Sequence, residues 1–208
     1  MVSADSHPLL DLFVLSARWP APLGDMPEAE WMRPYGELGA DTPFDAADDA
    51  HKKHVRDLLR HGGFKPAGRS KPCWEYLRGM TGKGRFPWIN PAVDATNAAA
   101  LHGALPVSTV DADKLSGPLR TAIADIGSSY VFNVSGQTID LSGLLCLFDA
   151  DGPCANAVKD AQRTKTDETT RHTVTLVWGT VALPGLASAV ADWQETLFAR
   201  LGAVVERG

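Results

Sequence analysis

One segment of the chain carries polar residues in a pattern suited to binding and cleaving an ester: residues 86–115, FPWINPAVDATNAAALHGALPVSTVDADKL. Asn90-Pro91 breaks the preceding element, and a polar cluster at 94–97 precedes a small-residue run at 98–104 that is typical of a helix. Free N–H groups at a helix start attract carboxyl or phosphate oxygens, while a Thr hydroxyl and an Asn amide bind an amine, an ester or a ribose. The pattern therefore indicates Thr96 and Asn97 as ligand-binding residues, with a plain helix N-cap as the alternative.

Familiar catalytic motifs are absent from the sequence. It contains no P-loop, GxGxxG, HExxH or GxSxG pattern. The cysteines, Cys73, Cys146 and Cys154, are too few and too widely spaced for a disulfide framework or a four-thiolate zinc site. Pairing of Cys73 with His102 as nucleophile and base has no supporting sequence context. We therefore expect neither a metal nor a cofactor.

Charge is strongly segregated along the chain, although its net value is only -5 over 208 residues. Residues 1–50 are acidic, with a net charge of -8, whereas residues 51–85 carry a net charge of +8 and half of all Lys and Arg. Such a local concentration is typical of a phosphate-binding patch, and less so of a general nucleic-acid coat. The alternative is that these bases are solvated and neutralise the acidic first third.

The hydrophobic pattern predicts a single α+β domain, with a mostly antiparallel sheet and flanking helices. Short apolar runs predict strands at 12–18, 119–124, 130–134, 139–148 and 174–181, with a hairpin turn at Ser135-Gly136. Helices are predicted at 27–38, 45–61 and 70–80, and an amphipathic helix at 186–204 closes the chain. Residues 160–172 form the one long candidate loop within the sheet half.

The chain lacks the roughly 18 consecutive apolar residues of a membrane helix. Its N-terminus carries Asp5 and Asp11 and no base before Arg18, the reverse of the basic start of a signal peptide. We therefore expect a cytoplasmic localisation.

The run INPAVDATN, followed by Pro106 and then VDADKL, resembles the B3/B4 domain of the bacterial phenylalanyl-tRNA synthetase beta subunit. It is still more similar to freestanding proteins built from that domain alone. The resemblance covers roughly residues 64–208 and is most specific at 89–115. It implies a layered B3/B4-like α+β domain at 64–208, to which residues 1–63 add an N-terminal helical elaboration.

In the synthetase, this domain hydrolyses tRNA that carries the wrong amino acid, notably tyrosine. A second site is needed because an apolar pocket rejects an isostere with one extra hydroxyl by only about 10²-fold. The resemblance thus implies a trans-editing aminoacyl-tRNA deacylase. Thr96 and Asn97 match the family's substrate-contacting residues, and Ser108 stands where the synthetase has its editing His, so the resemblance implies that these three residues are the catalytic ones.

The resemblance also assigns residues to the substrate and to the tRNA. Pro106 holds the turn after the helix, and the segment 155–170 supplies a second wall. The implied substrate-binding residues are Asn90, Asp94, Pro106, Ala155, Asn156 and Ala157. The implied contacts to tRNA phosphates are Lys83, Arg85, Lys159, Arg163 and Lys165.

Two other functions remain open at this stage. One is a binding module that holds tRNA, another nucleic acid or an amino-acid-like ligand without hydrolysis. The other is an interaction protein that presents its acidic first fifty residues to a basic partner. If the protein is a deacylase, the absence of a matched His predicts that the neighbouring ribose hydroxyl of the substrate handles the proton, while the protein positions the ester.

Overall fold

The computed structural model describes residues 2–5 and 7–208. Within that range the strands are β1 Val2–Ala4, β2 Leu10–Arg18, β3 Val107–Asp111, β4 Leu119–Ile123, β5 Ser129–Val131, β6 Thr138–Asp140, β7 Leu145–Asp149, β8 Gly152–Asn156, β9 His172–Thr180 and β10 Val204–Arg207. The α-helices are α1 Asp49–Arg60, α2 Cys73–Thr81, α3 Pro91–Gly103 and α4 Leu186–Arg200. Short 3-10 turns occupy Leu23–Asp25, Glu30–Gly36, Gly68–Ser70, Ala112–Lys114 and Gln162–Thr164.

The first sheet is fully antiparallel, in the order β10-β2-β9-β3. Helices α3 and α4 pack together on it and bury the alanines of α3. The two helices approach closely because Gly103 has no side chain: a Cβ there would lie 2.3 Å from Val190 Cγ2.

The second sheet has the order β1-β4-β7-β8, in which β1 is parallel to β4 and the other pairs are antiparallel. Its inner face packs with β9 and α1 around Leu147, Leu176 and Trp178, all fully buried. The β5–β6 hairpin forms a separate two-stranded sheet. The fold is thus α+β with mostly antiparallel sheets, which confirms that part of the prediction.

Several predicted elements differ in extent. The predicted strand at 139–148 is divided into β6 and β7, because Gly143 turns with φ +74°, and a Cβ there would clash with the Gly62 carbonyl oxygen. The helix predicted at 27–38 shrinks to the 3-10 turn Glu30–Gly36, which contains Pro34. No strand is predicted at 107–111, where the chain forms the fully buried strand β3 directly after the turn at Pro106.

The first 63 residues contribute to both sheets as well as adding helical turns. β2 lies between β10 and β9 and pairs with β9 over its whole length. α1 buries its apolar face, Val55, Leu58 and Leu59, and leaves its charged face outside. None of the described helices is long and apolar enough to cross a membrane.

Candidate active site

Helix α3 begins earlier than predicted. Asn90 is its N-cap and accepts a hydrogen bond from the Val93 amide at 3.0 Å, and Pro91 occupies the first turn, where a missing N–H costs nothing. Thr96 and Asn97 therefore lie in the second turn, beyond the free N–H groups of the helix start. The prediction that the amides of 94–97 are available to a ligand is wrong, because only the first turn of a helix leaves its donors unpaired.

A cleft of about 690 Å³, here called the main cleft, lies between α2, the second turn of α3, β3 and the loop 158–166. It brings together five of the predicted residues: Lys83, Thr96, Asn97, Lys159 and Lys165. Its apolar wall includes Leu77, Met80, Val93, Val107 and Val158. Such a cleft, mostly apolar with a few convergent polar groups, has the character of a small-molecule site.

The Thr96 hydroxyl is fully occupied inside the protein. It donates to the Ala92 carbonyl at 2.8 Å, lies 2.6 Å from the Thr109 hydroxyl and accepts from Gln194 Nε2 at 2.9 Å. Because its one hydrogen goes to Ala92, Thr109 must donate to Thr96, and Thr175 in turn donates to Thr109. Thr96 thus joins α3 to β3, β9 and α4, and its hydroxyl has no bonding capacity left for a substrate.

Asn97 keeps part of its amide free. Its Nδ2 donates to the Pro87 carbonyl at 3.3 Å, and no described residue donates to its Oδ1. The side chain is half-buried on the wall of the main cleft. Asn97 is therefore able to accept a hydrogen bond from an amine or a ribose hydroxyl.

Ser108 is buried beneath the cleft and does not line it. Its hydroxyl donates to the Asn156 carbonyl at 3.1 Å and accepts from Trp178 Nε1 at 3.0 Å. The Ser108 hydroxyl also lies close enough to the Asp160 carboxyl to lower its pKa. Ser108 thus holds β3, β8 and β9 together, a role that differs from the catalytic one predicted by its match to the editing His.

Ala155 and Asn156 end β8, and Ala157 begins the turn that follows; all three residues are buried beneath the cleft. Asn156 Oδ1 accepts hydrogen bonds from the amides of Val158 and Lys159, at 2.8 and 2.9 Å. The Ala157 carbonyl accepts from the Cys73 amide at the start of α2. These residues do not line the main cleft, but their turn directs the next three residues into it.

Asp160 is the cleft residue that sequence reasoning missed. Its Oδ1 accepts from the Asn156 amide at 3.1 Å, and the residue lines the main cleft. Burial raises the pKa of Asp160 to about 6, against the opposing effects of the Ser108 hydroxyl, the Asn156 amide and the Lys165 charge. The available sequence signal was a single carboxylate among the cations of 159–165.

The remaining predicted substrate residues lie at the margin. Asn90 and Asp94 line a neighbouring pocket of about 550 Å³ that meets the main cleft at Ile89 and Thr166. Asp94 accepts from the Ile89 amide at 2.7 Å, and burial raises the pKa of its carboxyl to about 6. Pro106 is buried, and its carbonyl accepts from the Trp178 amide.

The basic segment 51–85 divides into two parts in the structure. On α1, all Lys and Arg residues except Lys52 are paired: Arg56 makes two bonds to Glu75, and Asp57 binds both Lys53 and Arg60. Downstream, Arg78 donates to the Ala47 carbonyl, and five further cations form no ion pair with any described residue: Lys65, Arg69, Lys71, Lys83 and Arg85. All of these except Arg85 line the main cleft or the cleft beside it.

That second cleft, here called the side cleft, has a volume of about 770 Å³ and meets the main cleft at Arg69, Phe132 and Lys159. The Lys159 ammonium lies 4.0 Å from the centre of the Phe132 ring, and the Lys165 ammonium donates to the Phe132 carbonyl at 2.6 Å. Burial lowers the pKa of Lys159, and the charges of Arg69 and Lys165 lower it further. We call these three crowded cations, Arg69, Lys159 and Lys165, the cation cluster.

Two of the predicted phosphate contacts lie elsewhere. Arg163 makes two hydrogen bonds to the buried Asp149 carboxylate, at 2.8 and 2.6 Å, and a third to the Gly152 carbonyl. Its guanidinium is thus committed to the fold, which contradicts its predicted availability to tRNA. Arg85 is exposed but lines neither cleft.

No protein-family model and no curated protein matches the chain. Among solved structures, it is similar to an N-terminal fragment of the phenylalanyl-tRNA synthetase beta subunit from Pyrococcus horikoshii, with 13% sequence identity and a TM-score of 0.48. The match covers 55% of this chain and 40% of that fragment. This is a distant structural relation.

Proposed function

We propose that the protein is a trans-editing hydrolase, which cleaves the ester between a wrongly attached amino acid and the terminal ribose of a tRNA. The observation on which the proposal rests is that the Asp160 carboxylate and the cation cluster line the same cleft. A phosphate-bearing ester needs both features: positive charge to hold the nucleic acid and a polar group at the reacting carbonyl.

The charges of the clefts favour a polyanion. Six cations line the two clefts, Lys65, Arg69, Lys71, Lys83, Lys159 and Lys165, against the carboxylates of Glu75, Asp140 and Asp160. Glu75 is already neutralised by Arg56. Because the whole chain has a net charge of -5, this positive region is a local feature of the surface. The repulsion within the cation cluster would be relieved by phosphate oxygens.

The main cleft also offers room for an aminoacyl group. Its apolar wall suits an amino-acid side chain, and the free Oδ1 of Asn97 suits the α-amino group or the ribose hydroxyl. The motif INPAVDATN, which resembles the B3/B4 editing domain, places Asn97 on this wall. The proposal therefore keeps Asn97, Lys83, Lys159 and Lys165 as ligand contacts.

A non-catalytic binding module is the second candidate, and a specific observation favours it. The hydroxyls of Thr96 and Ser108, both predicted to be catalytic, are buried and hydrogen-bonded within the protein. A module of this kind would use the same cleft and cations to hold a tRNA end or a similar ligand without turnover.

A panel of mischarged tRNAs separates these candidates. We expect purified protein to release the amino acid from at least one member faster than spontaneous hydrolysis, and to bind that tRNA. Binding without release on any member would support the binding module, and neither binding nor release would exclude both candidates.

The matched control uses charge reversal at two sites. Lys159→Glu in the cation cluster should weaken binding strongly, whereas Lys53→Glu on α1, an exposed lysine outside both clefts, should change it little. Equal effects of the two variants would show that binding follows overall charge and does not involve the cleft.

A further inference from the structure

Two carboxylates line the main cleft, and their surroundings differ. Glu75 is neutralised by two hydrogen bonds from Arg56, at 2.7 and 2.6 Å. Asp160 forms no salt bridge with any described residue, since the nearby Lys165 ammonium is directed to the Phe132 carbonyl. Asp160 is therefore the cleft carboxylate whose charge remains available.

The position of the Asp160 carboxylate is fixed by hydrogen bonds within the protein. The Asn156 amide donates to Asp160 Oδ1 at 3.1 Å, and Asn156 Oδ1 in turn fixes the turn through the amides of residues 158 and 159. A carboxylate held in this way is oriented before any ligand arrives, which is what a proton-transfer group requires.

Titratable groups from several elements face Asp160. They are Cys73 on α2, Tyr130 on β5, and Lys165 from the loop before β9, with the buried thiols of Cys146 and Cys154 behind them. Ser108 on β3 adds a hydroxyl. Among these groups, Lys165 alone is a cation, and its charge favours the ionised form of Asp160.

We infer that Asp160 is the general base of the proposed hydrolysis. This inference rests on the proposed function and adds to it a catalytic residue. The Asp160 carboxylate takes a proton from a water molecule as the water oxygen attacks the ester carbonyl carbon, and the carbonyl oxygen becomes an oxyanion beside the Lys165 ammonium. When the intermediate collapses, the bond to the ribose oxygen breaks, and the proton passes from Asp160 to that leaving oxygen.

The other groups in the cleft are poorly suited to this step. Burial raises the pKa of the Cys73 thiol to about 12, and burial also raises that of the Tyr130 phenol well above its usual value, so neither is ionised near neutral pH. Asp160, with a pKa of about 6, is ionised at neutral pH and still basic enough to accept a proton. The substrate-assisted scheme predicted from the sequence is thus unnecessary, because the cleft contains its own base.

The test compares Asp160→Asn with the wild type on a mischarged tRNA from the panel that the wild type deacylates. Asp160→Asn should reduce the single-turnover rate by about 10²-fold or more, the usual contribution of general base catalysis, and leave binding of uncharged tRNA unchanged. Asp125→Asn, which removes an exposed carboxylate that lines neither cleft, is the matched control and should keep the rate.

A pH profile supplies the readout that a structural role would not change. The wild-type rate, corrected for spontaneous hydrolysis, should rise with pH through about 6, and the residual rate of Asp160→Asn should lose this rise. A variant that binds tRNA and keeps both rate and profile would overturn the inference while the proposed function stands. If the wild type deacylates no substrate, both the proposed function and this inference are overturned. That outcome differs from the previous one because there is then no wild-type rate to compare.

Discussion

Asp160→Asn should make the folded protein more stable at neutral pH. Burial raises the pKa of the Asp160 carboxyl from the usual 3.8 to about 6, so the folded state disfavours the ionised form. Between these two values the folded state binds more protons than the unfolded state, and the contribution of Asp160 to stability therefore falls as pH rises from about 4 to 6. An asparagine has the same shape and carries no charge to desolvate.

The size of the effect follows from the pKa shift. The rise of the pKa from 3.8 to about 6, at 1.36 kcal/mol for each pKa unit, gives an upper limit of about 3 kcal/mol for the gain in stability above pH 7. Below pH 4 no gain is expected. For a chain of this length, each kcal/mol corresponds to roughly 2–4 °C in Tm. Urea unfolding of both proteins at several pH values between 4 and 8 measures the difference directly.

Asp140→Asn is the control because it should act in the opposite direction. The Ser142 hydroxyl and amide lower the pKa of the Asp140 carboxyl, so its charge stabilises the fold, and removing it should destabilise the protein slightly above pH 4. The wild type also contains Asp94, whose pKa is raised, but its contribution cancels in the comparison. An Asp160→Asn protein no more stable than the wild type at pH 8, or equally stabilised at pH 4 and 8, would refute this reasoning.

Four further predictions concern the cleft and the side chains that support it. Asn97→Ala should slow deacylation by about ten- to hundred-fold, the loss of about 1–3 kcal/mol in hydrogen bonding, and a matched Tm would show that the fold is intact. Binding of tRNA should weaken as the salt concentration rises, and a plot of log affinity against log salt concentration should fall with a slope of about 0.7–0.9 for each phosphate contacted. Reversing the charges of Lys83 and Lys165 should lower that slope, whereas a slope unaffected by both reversals would argue against binding in the cleft. Ser108→Ala should keep most of the rate but lose about 1–3 kcal/mol in urea unfolding, since Trp178 Nε1 is left unpaired; a large loss of rate at full stability would restore Ser108 to catalysis. Arg163→Met should cost about 2–3 kcal/mol at pH 7, and this cost should shrink as the pH falls below about 4. Burial tends to raise the pKa of the Asp149 carboxyl, but the hydrogen bonds of Arg163 hold it below its usual value, and their stabilising effect is lost as the carboxylate takes up a proton; a cost independent of pH would contradict this.

Local sequence signals predicted the fold class and one hairpin, but they misplaced the start of α3. The period-two runs and the turn at Ser135-Gly136 predicted the α+β class and the β5–β6 hairpin because these depend on neighbouring residues. The start of α3 was placed too late, although Asn90-Pro91 is itself a helix-start signal. That shift of one turn changed the expected role of Thr96 from ligand contact to core hydrogen-bond donor.

Asp160 and the ion pairs could not be predicted because their surroundings come from distant parts of the chain. The pKa of Asp160 depends on burial against β3, α2 and β5, which only the assembled fold provides. Arg163 and Arg69 look alike in the sequence, yet Asp149 captures Arg163, while Arg69 pairs with no described carboxylate. Composition thus predicted a basic patch, and only the structure separates its paired cations from its unpaired ones.

The most direct test is a single-turnover measurement on one tRNA charged with its correct amino acid and, separately, with wrong ones. With protein in excess, we predict release of at least one wrong amino acid about 10²-fold faster than spontaneous hydrolysis, while the correctly charged tRNA is spared. Release at the spontaneous rate for every amino acid tested, from tRNA that the protein demonstrably binds, would contradict the proposed hydrolase.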